Sequence, residues 1–204
     1  MVLNKAAFLD KDGTLIPNTP YCIDPNQAQL SLDVVKALRV FSKLDYQLFI
    51  ISNQSGVARG YFREEQLELV IHRFSEVFRS IGVHLQGFYY CPHHPEGNTP
   101  YGIDCECRKP KPGMLLQAAA EHSIHLEQSW FIGDILHDIE AGRRAGCRTI
   151  LLDNGGETEW EISGDRLPHH IVSNLLDAAK VVAALHYYDR ILEQHEITFP
   201  GTTR

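Results

Sequence analysis

Short, mostly apolar runs alternate along the chain with stretches whose apolar positions recur every three or four residues. The runs Ala6–Leu9, Gln47–Ser52, Gly87–Cys91, Trp130–Gly133 and Thr149–Leu152 are too short for helices and lack a polar face, as strands buried on both sides do. Ile171–Ser173 is a weaker sixth. Between them, Val34, Ala37, Leu38, Phe41 and Leu44 predict one helix, and Leu67, Val70, Ile71, Phe74, Val77, Phe78 and Ile81 predict a second that stops at Gly82. Pro112 and Gly113 open a third, Leu136–Ala145 forms a fourth that stops at Gly146, and Asn174 is the N-cap of a fifth. This alternation predicts an α/β fold, a Rossmann-like parallel sheet with helices on both faces.

With 204 residues the chain is long enough for one such domain and short for two, so a single domain over 1–204 is expected. The polar stretch 153–170 is long for a structureless connection and reads as a functional loop or a misread element, with Trp160 inside it expected to be buried. Residues 188–204 lack a clear pattern and read as a docked or frayed tail, so 153–204 as a whole is an uncertain C-terminal segment. The net charge of −7 argues against a nucleic-acid partner. No apolar run approaches the roughly 20 residues of a membrane span, and the start Met-Val-Leu-Asn-Lys runs into a strand, not a signal peptide. A cytoplasmic monomer acting on a small molecule, away from membranes, is the expectation.

Candidate chemistry gathers at strand ends. In Phe8-Leu9-Asp10-Lys11-Asp12-Gly13-Thr14-Leu15 an apolar strand ends in two carboxylates spaced by two, expected on one side of the strand with Lys11 on the other. Neighbouring carboxylates repel unless a cation or a shared proton relieves them, which makes a divalent metal their natural companion. An EF-hand is excluded, because Gly13 directly follows Asp12 and Tyr21 occupies the twelfth position. Ser52-Asn53 puts a hydroxyl and an amide at the end of the second strand, donors suited to phosphate oxygens. Arg108-Lys109-Pro110-Lys111-Pro112 is a basic, stiffened segment leading into a helix N-terminus, which favours an anion. Gly133-Asp134 ends another strand, and Asp138 follows one turn later, as a supporting partner or as a helix-start residue.

Taken in order, Asp-x-Asp-Gly-Thr, Ser-Asn, Lys and Gly-Asp-x-x-x-Asp strongly resemble the haloacid dehalogenase superfamily of phosphatases, over roughly the first 150 residues. The resemblance implies no large cap domain and a two-step transfer. Asp10 would attack phosphorus to form an aspartyl phosphate, and Asp12 would protonate the leaving oxygen and then activate water. Mg²⁺ would be held by Asp10, the Asp12 carbonyl and Asp134, while Lys109, Ser52 and Asn53 would hold the phosphate.

Five cysteines are present, and Cys91-Pro-His93 is separated by eleven residues from Cys105-Glu-Cys107. Four such donors satisfy tetrahedral zinc and leave no open position, so a structural Zn²⁺ is expected, pinning a loop at 91–107 that delivers Arg108 and Lys109. His94 is the rival to His93, and Cys22 and Cys147 read as ordinary small side chains. This insert, followed by Arg-Lys-Pro, resembles two phosphatase groups, acting on D-glycero-D-manno-heptose 1,7-bisphosphate and on histidinol phosphate. The run Asn53-Gln54-Ser55-Gly56-Val57-Ala58-Arg59-Gly60-Tyr61-Phe62 is more similar to the heptose group, which removes a C7 phosphate in lipopolysaccharide-core or nucleotide-activated heptose synthesis. That resemblance implies Asn18 to Tyr21 along a sugar pocket and Arg108 in contact with substrate. Ile135 stands where many of that group have lysine, and Ser52 where threonine is common. A catalytically silent, zinc-stabilised binding module is the alternative from another class.

Overall fold

The computed structural model describes residues 3–195. Strands β1 (Lys5–Leu9), β2 (Tyr46–Asn53), β3 (Leu85–Cys91), β4 (Trp130–Gly133), β5 (Arg148–Leu152) and β6 (His170–Val172) form one sheet in the order β3-β2-β1-β4-β5-β6. Every neighbouring pair is parallel. Helices α1 (Leu32–Lys43), α2 (Leu67–Ser80), α3 (Gly113–His122), α4 (Leu136–Ala145) and α5 (Leu175–His195) make the crossovers and the closing layer. The helices start and stop where the side chains dictate. Ser31 accepts from the Val34 N–H at the start of α1, and Asn174 accepts from the Asp177 N–H at 2.9 Å to open α5. Gly146 takes φ +88° just after α4, in the left-handed region that suits glycine.

Because strand side chains alternate, each strand feeds two cores. Ala7, Leu9, Leu48 and Ile50 face α1, α2 and α5, packing on Phe41, Phe74 and Ala178. Ala6, Phe8, Phe49 and Ile51 face α3 and α4, packing on Leu115, Ala118 and Ala141. The order of connection reverses at β1, which lies between β2 and β4, so the carboxyl ends of β1 and β4 flank a crevice of the kind where parallel sheets bind ligands. Among the described residues no inserted domain stands over that end of the sheet.

Two expectations need correction. Residues 188–195 are not a tail but continue α5; its first turns bury Leu175, Ala178, Ala179 and Val182, whereas Tyr187, Tyr188 and Ile191 lie exposed, which hides the helical period from the sequence. The rest of the expected tail, 196–204, lies outside the described residues. Trp160 is 47% exposed, in a 153–169 connection that carries only a short 3₁₀ turn at Gly164–Arg166.

Candidate active site

Strand β1 stops at Leu9, but the Asp10 N–H still donates to the Ile132 carbonyl of β4 at 3.0 Å, so Asp10 keeps a strand-like anchor. The chain then folds tightly: Gly13, at φ +86°, donates to the Ile16 carbonyl at 2.8 Å. Asp10 and Asp12 both line a cavity of about 180 Å³ with Ser52, Asn53, Lys109 and Asp134. The expected separation of Lys11 fails, because strand alternation ends at Leu9; Lys11 is buried and its ammonium sits 2.6 Å from Asp12 Oδ1.

Lys109 comes from the loop before α3 and is 3% exposed. Its Nζ reaches Asp10 Oδ1 at 2.5 Å, Asp138 Oδ1 at 2.7 Å and the Ile51 carbonyl at 3.0 Å. Burial disfavours that charge, but Asp10 and Asp138 outweigh it and the lysine pKa is raised. The Asn53 amide holds this lysine in place from both sides, donating to the Lys109 carbonyl and accepting from its N–H, each at 3.1 Å. The side chain expected on phosphate is therefore committed to the backbone of Lys109. Asp138 fills both suggested roles, pairing with Lys109 and accepting from the Ile135 N–H at 3.3 Å at the start of α4.

Asp10, Asp134 and Asp138 bring carboxylate oxygens within 4.8 Å of one another. Lys109 pairs with two of the three, Asp10 and Asp138. Burial, then the neighbouring Asp10 and Asp138, pushes Asp134 up to about 8, and burial raises Asp138 to about 6 against the pull of Lys109. Asp134 Oδ2 is buried with no hydrogen-bond partner. A group of hard oxygen donors carrying excess negative charge and an orphaned carboxylate oxygen fits a divalent cation such as Mg²⁺. Asp12 is also raised, by burial first and by Asp10, with Lys11 opposing.

Asn18 and Tyr21 line the mouth of the same cavity, and the Tyr21 ring packs edge-on to Tyr61 at 4.6 Å between centroids. Ile135 supplies an apolar wall there. Arg108 is not among the lining residues; its Nη1 donates to the His93 carbonyl at 3.3 Å.

The second cluster is made as expected from Cys91, His93, Cys105 and Cys107. Cys91 Sγ lies 3.5 Å from Cys105 Sγ and 3.2 Å from Cys107 Sγ, and His93 Nδ1 lies 3.7 and 3.3 Å from Cys91 and Cys107. Thiolates about 2.3 Å from a tetrahedral zinc stand about 3.8 Å apart, so this donor set is already gathered to nearly that size. Burial, with the neighbouring thiols, raises the Cys91 pKa, the condition of crowded thiols that a cation relieves. His94 is turned away to Arg59, 3.2 Å off.

Several residues escaped the sequence reading. Gln54 Nε2 reaches Ser52 Oγ at 2.7 Å and Asp12 Oδ2 at 3.4 Å, joining two of the motifs. Glu64 accepts from Tyr90 at 3.1 Å and from Tyr101, tying the loop to β3. Glu157 accepts from the Leu136 N–H at 2.5 Å and so caps α4. Asn154 donates to the Gly13 carbonyl at 2.7 Å. Gln54 adjoined a recognised motif; the others had no local signal.

A six-stranded parallel sheet with carboxylates at the ends of β1 and β4 and a buried lysine between them defines a hydrolase of the haloacid dehalogenase type. The HAD-hydrolase-like family model matches residues 106–178. The chain is 38% identical to the D-glycero-beta-D-manno-heptose-1,7-bisphosphate 7-phosphatase of Pasteurella multocida, over 90% of this chain and 99% of that one. It is 37% identical to a D-glycero-alpha-D-manno-heptose-1,7-bisphosphate 7-phosphatase of Photorhabdus laumondii, over 87% and 96%. The crystal structure of D,D-heptose 1,7-bisphosphate phosphatase from B. bronchiseptica, complexed with magnesium and phosphate, shares the fold at a TM-score of 0.71 and 24% identity, over 89% of this chain and 99% of that one. The chain belongs to the heptose-bisphosphate 7-phosphatase family of the haloacid dehalogenase-like hydrolases.

Proposed function

We propose that this protein is a Mg²⁺-dependent phosphatase that removes the C7 phosphate of D-glycero-D-manno-heptose 1,7-bisphosphate through an aspartyl phosphate, the whole chain acting as one catalytic domain. The carrying observation is the convergence of Asp10, Asp12, Lys109 and Asp134 on one cavity, in a chain whose relatives bear that activity in their names. Asp10 attacks phosphorus and the bond to the sugar oxygen breaks. Asp12 donates its proton to that oxygen, a role its burial-raised pKa favours, and then takes a proton from the water that attacks the aspartyl phosphate. Inorganic phosphate leaves and Asp10 is regenerated.

Mg²⁺, held by Asp10, the Asp12 carbonyl and Asp134, would supply positive charge against the phosphate dianion. Lys109 adds a second positive charge, fixed before substrate arrives by Asp10, Asp138 and Ile51. Ser52 accepts from Gln54, which leaves its own hydroxyl proton to donate to a phosphate oxygen. Asn53 acts through Lys109, Asn18 and Tyr21 face the sugar, and Arg108 contacts substrate away from the reacting phosphate. Zn²⁺ on Cys91, His93, Cys105 and Cys107 would fix the loop that carries Arg108 and Lys109, and such free thiols suit a reducing, cytoplasmic setting. Among the described residues no helix is long and apolar enough to cross a membrane.

The test is phosphate release with Mg²⁺ from both anomers of heptose 1,7-bisphosphate and from histidinol phosphate, with Asp10→Asn as control. Release from one heptose anomer in preference to the other substrates, lost in the variant, is expected. Preference for histidinol phosphate would overturn the substrate, and substantial turnover by Asp10→Asn would overturn the mechanism.

A further inference from the structure

The polar stretch after β5 begins with a turn, Asn154-Gly155-Gly156, that the reaction scheme above does not use. Its geometry converges on Asp134. A Cβ placed on Gly156 would lie 2.1 Å from Asp134 Oδ2, and one placed on Gly13 would lie 2.0 Å from the same oxygen. Real side chains never approach that closely, so the carboxylate is held between two glycine walls that belong to different loops. Gly156 has no left-handed φ, so its lack of a side chain answers to space and not to backbone strain. Asn154 braces both walls at once: its Nδ2 donates to the Gly13 carbonyl at 2.7 Å, and its Oδ1 accepts from the Gly156 N–H at 3.1 Å.

The enclosed oxygen is buried and has no hydrogen-bond partner. A donor would have fixed the carboxylate equally well, but it would occupy a lone pair. Two apolar walls fix the orientation by shape and leave the lone pairs for a cation. Asn154 itself is exposed and does not line the cavity, so it touches neither substrate nor reacting atoms.

Resting on the Mg²⁺-phosphatase reading, we propose that Asn154 and Gly156 are positioning residues: Asn154 spaces the Gly13 and Gly156 walls, and these orient Asp134 for the divalent cation. The turn thus joins the loop that carries Asp12 to the carboxylate at the end of β4. This gives the segment after β5 a place in the site despite its distance in sequence.

The experiment is calorimetric titration of Mg²⁺ into the metal-free full-length protein without substrate, for the wild type, Gly156→Ala and Asn154→Ala. Thermal unfolding in chelator is measured alongside. Partners one shell out from a metal typically change its affinity 10- to 100-fold, so Gly156→Ala is expected to weaken Mg²⁺ binding at least about tenfold, and Asn154→Ala about three- to tenfold. Metal-free unfolding of Asn154→Ala should stay within about 2 °C of the wild type, as for an exposed substitution. Turnover by Asn154→Ala should recover when Mg²⁺ is raised, with the KM for the sugar phosphate little changed. Wild-type Mg²⁺ affinity in Asn154→Ala would overturn the proposal even if Gly156→Ala fails to fold. An equal loss of metal-free stability and affinity would make the turn merely structural and overturn it too. Absence of Mg²⁺ binding by the wild type would instead overturn the phosphatase reading on which the proposal stands.

Discussion

The two ends of the sheet both collect charge, and they treat it in opposite ways. At the carboxyl ends, Asp10, Lys109, Asp134 and Asp138 are 6%, 3%, 2% and 0% exposed. At the amino ends, Lys5, Arg148, His186 and Asp189 line an open cavity, with Arg148 and Asp189 exposed by 41% and 49% in an ion pair at 3.5 Å. There the cations rest on aromatic faces and keep their heads near water: Lys5 lies 4.8 Å from the Tyr46 ring centre and Arg148 lies 5.5 Å from that of Trp130. Burying an ion costs several kcal/mol unless partners compensate it, so a fold keeps buried charge where its chemistry needs it. The amino-end charges are satisfied as they stand. The carboxyl-end charges, three carboxylates and one ammonium, leave an excess of negative charge that the proposed Mg²⁺ would offset.

Lys109→Met should break this contrast most severely. It removes the ammonium shared by Asp10 and Asp138 and leaves those carboxylates buried without it. Breaking a buried pair in this way costs about 3–5 kcal/mol, and loss of the charge facing phosphate should lower kcat at least about 100-fold. Chemical denaturation with and without Mg²⁺ checks the first, with part of the loss regained in Mg²⁺, and phosphate release checks the second. A stable Lys109→Met would mean that the carboxylates are protonated and need no partner.

Cys107→Ser asks whether the thiol cluster belongs with the buried charges it adjoins. Arg108 and Lys109 directly follow this cysteine, and Arg108 is hydrogen-bonded to the carbonyl of His93. A structural metal contributes folding free energy directly, so the variant should lose bound zinc by elemental analysis and unfold on the order of 10 °C lower. Turnover should fall with it, because Lys109 loses its anchor. Absence of zinc from the wild type would show that the cluster is four packed side chains and nothing more, and zinc retained in full by the variant would show that Cys107 is not one of its ligands.

The parts of this arrangement that sequence exposes are local. Six apolar runs, the caps at Asn174 and Gly146, and the acids at strand ends each carry their signal within a few residues, and the Cys91/His93/Cys105/Cys107 spacing does the same for the loop. What stayed hidden are relations between distant segments. The turn at Gly13 that brings Lys11 onto Asp12 overrides the strand alternation that would have separated them. The 141-residue separation of Asn154 from its partner Gly13 leaves no pattern that joins them. The later turns of α5 went unread because their apolar residues point outward.

Glu64→Gln sharpens the comparison by separating position from burial. Glu64 lies near the carboxyl end, bonded to Tyr90 and Tyr101, but it is partly exposed and outside the catalytic cavity. Its hydrogen bonds should be worth about 1 kcal/mol together, since exposed partners exchange readily with water. Urea denaturation should show that small loss, and hydrogen exchange should show faster opening around Tyr101, with kcat within about twofold of the wild type. A large fall in kcat would mean that the loop transmits strain to Lys109, and that burial is not what divides the two kinds of charge.

The smallest effect is expected at the amino end, and its sign is fixed by the groups around His186. Lys5 Nζ lies 3.2 Å from its Nδ1, so the imidazole accepts from an ammonium and is held neutral. Burial, then Lys5 and Arg190, lowers its pKa, while Asp189 and Asp45 act the other way. Below the ordinary histidine value, near 6.5, the unfolded chain takes up a proton that the folded chain resists, so this contribution to stability is present above that pH and is lost as pH falls through it. His186→Gln keeps an acceptor for Lys5 and cannot titrate. The stability lost by the wild type between pH 7.5 and 5.5, measured by urea denaturation, should therefore exceed the loss in the variant, while turnover at pH 7.5 is the same in both. A parallel loss in the two proteins would place the acid sensitivity elsewhere. A change in turnover would show that the two ends of the sheet are coupled, and the contrast between them would fall.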